Sequence, residues 1–411
     1  MTQFVFYTSS TENEECMKKI DFIYVEAGGG HKSAATALKA VIEQIGKPWQ
    51  VRLINLNHIL YPIDVIKKLT GISMEDAYNL VLNKGWTLGA KQLMQPMHWL
   101  IRMYHKEQVE LLRRFWQADP PHMVVSLIPH FNRALHQGFL QANPRGAFVT
   151  IMTDMADIGP HVWLERQEQY VITGTRLAQQ QAYLYDHPPE RVFLVSGMIL
   201  RPTFYNVPAI DRKAEREKLG LHADLPTALV LFGGEGSLAI VDIARRLSTL
   251  PLQLILMYGR NEALGKRLRE LQLPIGRHIQ GFTSEVPKFM QMADFMIGKP
   301  GPGSISEALA MKLPVIVDCN AWTLPQERYN AQWLLERGLG LVVENWSEIG
   351  AAVEKLLAPG KLDQFRKRAG DLQNRAVFEI PEILEQILER SDATGPTGSP
   401  GPSGTTSSRH Q

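Results

Sequence analysis

Four clusters in this chain have residue types and spacings suited to chemistry. The first is Gly28-Gly29-Gly30-His31, which follows a β-rich run at 22–26 and opens a stretch with helical character reaching about residue 45. Three glycines let a ligand approach the backbone. A helix N-terminus disfavours the imidazolium form of His31, and a neutral imidazole facing a cleft is a competent general base. A surface or capping histidine after a packing turn is the plainer alternative. The second cluster, Phe232-Gly-Gly234-Glu-Gly236-Ser237, has the same order of strand, glycines, hydroxyl and helix, an arrangement whose free amides suit phosphate oxygens. The third, Gly298-Lys-Pro-Gly-Pro-Gly303-Ser304-Ile-Ser-Glu307, again places a glycine turn before a helix opening at Ser304. Two such loops in one domain point to a diphosphate. Glu307 is either the far member of a capping box begun at Ser304 or a carboxylate for vicinal ribose hydroxyls. The fourth cluster, Gln326-Glu327, offers a neutral and an ionised acceptor to further sugar hydroxyls; a solvated helix start is the alternative.

These clusters need a frame that brings them together. From residue 21 onward short β-rich runs alternate with amphipathic helical stretches, the pattern of βαβ units. Strands are predicted at 22–26, 50–56, 123–127, 148–153, 170–173 and 192–195. After a proline-punctuated connector at 197–208 they resume at 228–232, 252–257, 295–298, 315–318 and 341–343. The fold class is α/β, with two doubly wound, Rossmann-like domains facing a cleft, and ligands are expected at the carboxyl ends of the strands. The predicted division is a flexible extension at 1–20, a first domain at 21–200, a second at 208–375, a C-terminal helix at 376–390 that could pack on either domain, and a disordered tail at 391–411. The tail's composition, rich in Gly, Pro, Ser and Thr, has little to bury.

Composition removes several classes of function. The chain has 411 residues, 45 % of them hydrophobic, and a formal net charge of only +2, so no global field recruits nucleic acid. Its two cysteines, Cys16 and Cys319, make no disulfide framework, and neither C-x-x-C nor H-E-x-x-H occurs. No Asp-x-Asp pair is present to hold a nucleotide-bound divalent metal. No bound metal or other cofactor is therefore expected, and a leaving diphosphate would be neutralised by helix dipoles and a cation such as Arg201. The N-terminus lacks the pattern of a secretory signal, and no apolar run approaches the roughly 20 residues of a membrane span. A cytoplasmic protein is expected.

One stretch breaks the α/β rhythm. Between 84 and 116, Trp86, Trp99, Tyr104, Phe115 and Trp116 alternate with Lys84, Lys91, Arg102, Lys106, Arg113 and Arg114, opposed only by Glu107 and Glu110. Aromatic and cationic side chains interleaved on a helical segment suit an anionic membrane surface. A helical pair with a solvated basic face is the alternative.

The glycine-histidine start, Gly197-x-x-x-Arg201-Pro-x-Phe204, Gly281-Phe282, and the block from Lys299 to Leu309 together resemble the monogalactosyldiacylglycerol synthases and the processive diacylglycerol glycosyltransferases. The segment Gln326-Glu-Arg-Tyr-Asn-Ala331 is similar to one in the peptidoglycan enzyme that adds N-acetylglucosamine to a lipid-linked precursor. The resemblance covers about 21–390. It implies an inverting transferase moving a hexose, galactose or glucose, from a UDP-sugar to diacylglycerol or a similar membrane lipid, peripheral on the inner face of the cell membrane. The second domain would bind the donor. Glu307 would hold the ribose, with Phe282 and Thr283 bordering the uracil. Ser237, Arg201 and Ser304 would meet phosphate, assisted by the glycines 234, 236 and 303, and Gln326 and Glu327 the sugar. Gly28, Gly29 and Gly30 would form the acceptor loop, with His31 at the acceptor hydroxyl and Asp154 orienting acceptor or base. After Thr153-Asp154 the family carries a Cys-His-Pro segment where this chain reads Met155-Ala-Asp-Ile-Gly-Pro-His161-Val-Trp163, which leaves the acceptor open. A UDP-sugar epimerase, a transferase with another acceptor and a nucleotide-sugar sensor are the competing readings.

Overall fold

A computed structural model describes residues 17–26, 29–63, 101–159 and 161–393. Two six-stranded, parallel sheets organise them. The first contains β1 (Lys18–Tyr24), β2 (Trp49–Asn55), β3 (Met123–Ser126), β4 (Ala147–Ile151), β5 (Tyr170–Thr173) and β6 (Val192–Leu194) in the order β2-β1-β3-β4-β5-β6. The second contains β7 (Thr227–Leu231), β8 (Gln253–Gly259), β9 (Arg277–Gly281), β10 (Phe295–Gly298), β11 (Val315–Asp318) and β12 (Gly340–Val343) in the order β12-β11-β10-β7-β8-β9. The two-domain α/β prediction therefore holds. Central strands such as β4, Ala-Phe-Val-Thr-Ile, and β7, Thr-Ala-Leu-Val-Leu, are buried at every residue, because helices cover both faces of a parallel sheet.

Three boundaries differ from expectation. β1 begins at Lys18, inside the segment predicted as a flexible extension, because Lys18–Tyr24 pairs residue for residue with Trp49–Asn55. β9, Arg-His-Ile-Gln-Gly, was not expected at all. It lies at a sheet edge with every residue half-buried, so it carries no continuous apolar run. The last helix, Ala376–Ala393, runs past 390; the rest of the predicted tail lies outside the described residues.

That helix also settles its own partner. Val377, Ile380, Leu384, Ile387 and Leu388 recur at helical spacing and are buried with Ile20, Phe22, Leu38 and Val41 of the first domain. The preceding helix, Lys361–Gly370, instead contributes Ala369 to the core of the second domain. The chain therefore crosses between domains twice, at the 197–208 connector and again near 371–375. Met155, Met198 and Phe204 are buried with Leu231, Met257 and Ile305, so an apolar contact joins the two domains. The connector helix Arg212–Lys218 is tied to the second domain through Asp294, which receives Arg212 at 2.6 Å, Arg216 at 2.7 Å and Arg366 at 2.8 Å. Burial alone would push the Asp294 carboxyl up, but the guanidiniums and the Thr227 amide outweigh it and hold it below the ordinary range.

The basic aromatic stretch is described only from residue 101. The helix His105–Ala118 buries Val109, Leu112 and Trp116. Trp116, expected among interfacial aromatics, is a core residue whose indole N–H donates to Asp21 at 2.9 Å. Arg113 and Arg114 both reach Glu110, at 2.8 and 2.6 Å, so part of the expected basic face is internally paired. Met103 and Phe115 are exposed. Trp86, Trp99, Lys84 and Lys91 lie outside the described residues. Among the described residues no helix is long and apolar enough to cross a membrane.

Candidate functional site

In a doubly wound sheet the crevice opens where neighbouring strands send their connections to opposite sides. In the second sheet that point lies between β7 and β10. The two glycine loops, 233–237 and 301–304, are the segments that follow β7 and β10, so the topology sets them side by side. In the first sheet the corresponding point lies between β1 and β3, and His31 follows β1 directly. Asp154 follows β4, Phe282 and Thr283 follow β9, and Gln326 and Glu327 follow β11. Every predicted site residue except Arg201 thus belongs to a segment leaving the carboxyl end of a strand; Arg201 sits on the connector.

Gly29, the N-cap of the helix Gly30–Gln44, has φ 75°, a left-handed conformation that favours glycine. Gly28 lies outside the described residues. The His31 ring is half-buried, with Nδ1 3.0 Å from Thr153 Oγ1. Burial pushes its pKa down to about 4, against a hydrogen bond to the Leu127 backbone that favours the proton. The neutral form expected from the helix dipole is thus favoured chiefly by desolvation. The Trp163 ring lies 6.1 Å from that of His31, tilted by 54°, and its N–H donates to Asp154 Oδ2 at 2.9 Å. Burial drives the Asp154 carboxyl up to about 7, with the Trp163 N–H opposing and the charges of Glu327 and Asp157 adding to the rise.

Asp154 belongs to the first domain and Glu327 to the second, so that influence is exerted across the cleft. Lys299, also of the second domain, acts on Asp154 in the opposite sense. Glu327 is buried and accepts from Lys299 Nζ at 3.0 Å. Asn330, fully buried, donates to the Pro300 carbonyl at 2.8 Å and so braces the 301–304 turn.

The helix of that turn starts at Pro302 rather than Ser304, and no side chain caps it. The capping box is therefore not formed. Glu307 faces the connector, where Arg201 Nη2 lies 3.3 Å from Oε1. Burial raises the Glu307 carboxyl and Arg201 opposes the rise. A Cβ on Gly303 would meet nothing within 4 Å, which leaves the turn open to a ligand. In the other loop Gly233 and Gly236 have φ 79° and 67°, and a Cβ on Gly236 would lie 2.5 Å from the Tyr258 carbonyl oxygen. Packing alone demands glycine at 236. Gly234 faces Arg260, whose guanidinium carbon stacks 3.7 Å from the centre of the exposed Phe282 ring. Ser237 accepts from the Ala239 amide at 3.2 Å, and Thr283 from that of Glu285 at 3.0 Å.

Sequence reasoning assigned no role to Thr153, Trp163, Lys299, Arg260 or Asn330. Thr153 adjoins Asp154 and Lys299 lies inside the 298–307 cluster, and those positions were their available signal. Trp163 and Arg260 join the site only through tertiary contacts.

Residues 228–382 match the glycosyltransferase family 28 C-terminal domain. The chain is 26 % identical to the chloroplastic monogalactosyldiacylglycerol synthase of Spinacia oleracea, covering 92 % of this chain and 74 % of that protein. It is 26 % identical to monogalactosyldiacylglycerol synthase 1 of Arabidopsis thaliana, covering 92 % and 72 %. Among solved structures, Acinetobacter baumannii MurG superposes with a TM-score of 0.59 at 15 % identity, covering 90 % of this chain and 99 % of that one. Anabaena HepE in complex with UDP superposes at 0.52 and 14 %, covering 91 % and 100 %. The chain is a glycosyltransferase of the two-Rossmann-domain fold, matches the family 28 C-terminal domain over residues 228–382, and is similar over 92 % of its length to the monogalactosyldiacylglycerol synthases.

Proposed function

We propose that this enzyme transfers a hexose, galactose or glucose, from a UDP-sugar to diacylglycerol or a closely similar membrane lipid, with inversion at the anomeric carbon. The observation that carries the donor half is the pair of glycine loops after β7 and β10, adjacent strands at the switch point of the second sheet. Their amides, with Ser237 and Ser304, would receive the diphosphate. Glu307 holds the ribose through acceptor capacity that Arg201 leaves free, since a carboxylate offers about four lone-pair sites. Arg201 can then turn toward phosphate. Phe282, backed by Arg260, and Thr283 border the uracil, and Gln326 and Glu327 take the sugar hydroxyls.

On the acceptor side, a His31 tautomer with its proton on Nδ1, directed at Thr153, leaves Nε2 to accept the proton of the lipid hydroxyl. Asp154, held by Trp163, orients that hydroxyl. As the carbon–oxygen bond forms, UDP leaves carrying the bonding pair into the amides and dipole of the second domain. No divalent metal takes part in this reading. Diacylglycerol as acceptor is supported by the named activity of the relatives and by exposed Met103 and Phe115 with Arg102 and Lys106 on the first domain. These exposed side chains would meet an anionic cytoplasmic membrane surface. The test is passage of labelled hexose from UDP-hexose into extractable lipid.

A further inference from the structure

A cavity of about 450 Å³ opens where the domains join. Both chain crossings wall it, through Ser196–Met198 with Tyr205 and through 372–375. The helix Pro302–Ala310 contributes Ser306, Leu309 and Ala310, whereas Gly303, Ser304 and Glu307 are not among its walls. The cavity is therefore separate from the donor loops although it shares a helix with them. Its floor is close backbone packing: a Cβ on Gly174 would lie 2.5 Å from the Gly197 carbonyl oxygen, and one on Gly197 2.7 Å from Asn374 Cγ.

Three guanidiniums, those of Arg176, Arg337 and Arg375, line this space, and no Asp or Glu does. Among the described residues none of the three has a carboxylate partner; Arg337 rests over Trp333 at 5.0 Å and Arg375 over Phe378 at 5.5 Å. All three are exposed, whereas the buried Arg216 is paired with Asp294. Three like charges around one cavity, with no carboxylate among its walls, raise the local potential and attract an anion. A second observation points the same way. The hydroxyl of Tyr205, a wall residue, is buried and has no hydrogen-bond partner among the described residues. Leu194, Met198, Phe204, Leu309 and Leu372 supply an apolar remainder.

We propose that this junction cavity is a second ligand site, built for a small phosphate ester carrying an apolar group, with the phosphate among Arg176, Arg337 and Arg375 and the apolar part against the leucines. Its walls come from both domains and both crossings, so the ligand bridges them. The site does not depend on the identity of the acceptor.

Calorimetric titration of the full chain with phenyl phosphate tests it, with and without saturating UDP, using Arg337→Gln and Arg176→Gln/Arg337→Gln with their melting temperatures as folding controls. The expected result is saturable binding that survives UDP, weakens about tenfold in the double variant and several-fold in the single one, and is not reproduced by phenol. Binding abolished by UDP, or unchanged in both folded variants, overturns the proposal. Displacement of bound phenyl phosphate by glycerol 3-phosphate but not by anionic vesicles assigns the site to a soluble ester; the reverse assigns it to a lipid headgroup. Displacement by neither contradicts the assigned chemistry.

Discussion

His31 and Asp154 both neighbour Trp163, and burial drives their proton affinities in opposite senses. His31, pushed down to about 4, stays unprotonated through the neutral range and needs no pH adjustment to act as a base. His31→Ala is expected to lower the transfer rate by about 10²–10⁴-fold while leaving UDP affinity unchanged in calorimetry; retained turnover would remove the base assignment. Asp154, pushed up to about 7, keeps a proton in the folded protein that an unfolded aspartate loses near pH 4. Its burial therefore subtracts stability above pH 7, and the penalty fades as pH falls toward 4. Asp154→Asn should raise the melting temperature at pH 8, by a gain on the order of 2–4 kcal/mol, and give almost none at pH 4. Equal effects at both values would contradict the desolvated carboxyl. These affinities were beyond reading from the sequence, because they depend first on burial and, for Asp154, on Trp163 and Glu327, which approach only in the folded molecule. Gly29, Gly233 and Gly236 were legible because their positive φ demands glycine locally, and His31 because it adjoins such a turn.

Continuous apolar runs made the central strands legible at the scale of elements. β9 escaped because an edge strand with half-buried residues can afford Arg277, His278 and Gln280. The last helix could not be placed beforehand, since its apolar stripe would fit either domain equally well. The charged connector helix is held by Asp294 and its three arginines. Asp294→Ala leaves partly buried guanidiniums uncompensated and should destabilise by about 3–5 kcal/mol in denaturant unfolding; a change under 1 kcal/mol would deny that role. On the helix His105–Ala118, pairing of Arg113 and Arg114 with Glu110 shifts the expected membrane contact toward the apolar side chains. Vesicle flotation should weaken with salt, and Met103→Ser with Phe115→Ser should reduce it by about tenfold or more. Binding insensitive to both treatments would contradict the proposed contact.

In the proposed reaction the work is divided between the two sheets, with the candidate donor loops after β7, β9, β10 and β11 and the candidate proton-handling groups after β1 and β4. The division was legible because βα units announce themselves in sequence and the glycine loops fall at strand ends. The approach of Lys299 and Glu327 to Asp154 was not, since it joins residues more than 140 positions apart across the cleft. The measurement that bears most directly on this account is incubation of the full chain with UDP-[14C]galactose or UDP-[14C]glucose and vesicles containing diacylglycerol and an anionic lipid, with and without EDTA. The account predicts label in a β-hexosyl lipid from one of these donors, formed at the same rate after chelation. Label confined to the aqueous phase, as free sugar or as an isomerised UDP-sugar, would contradict it.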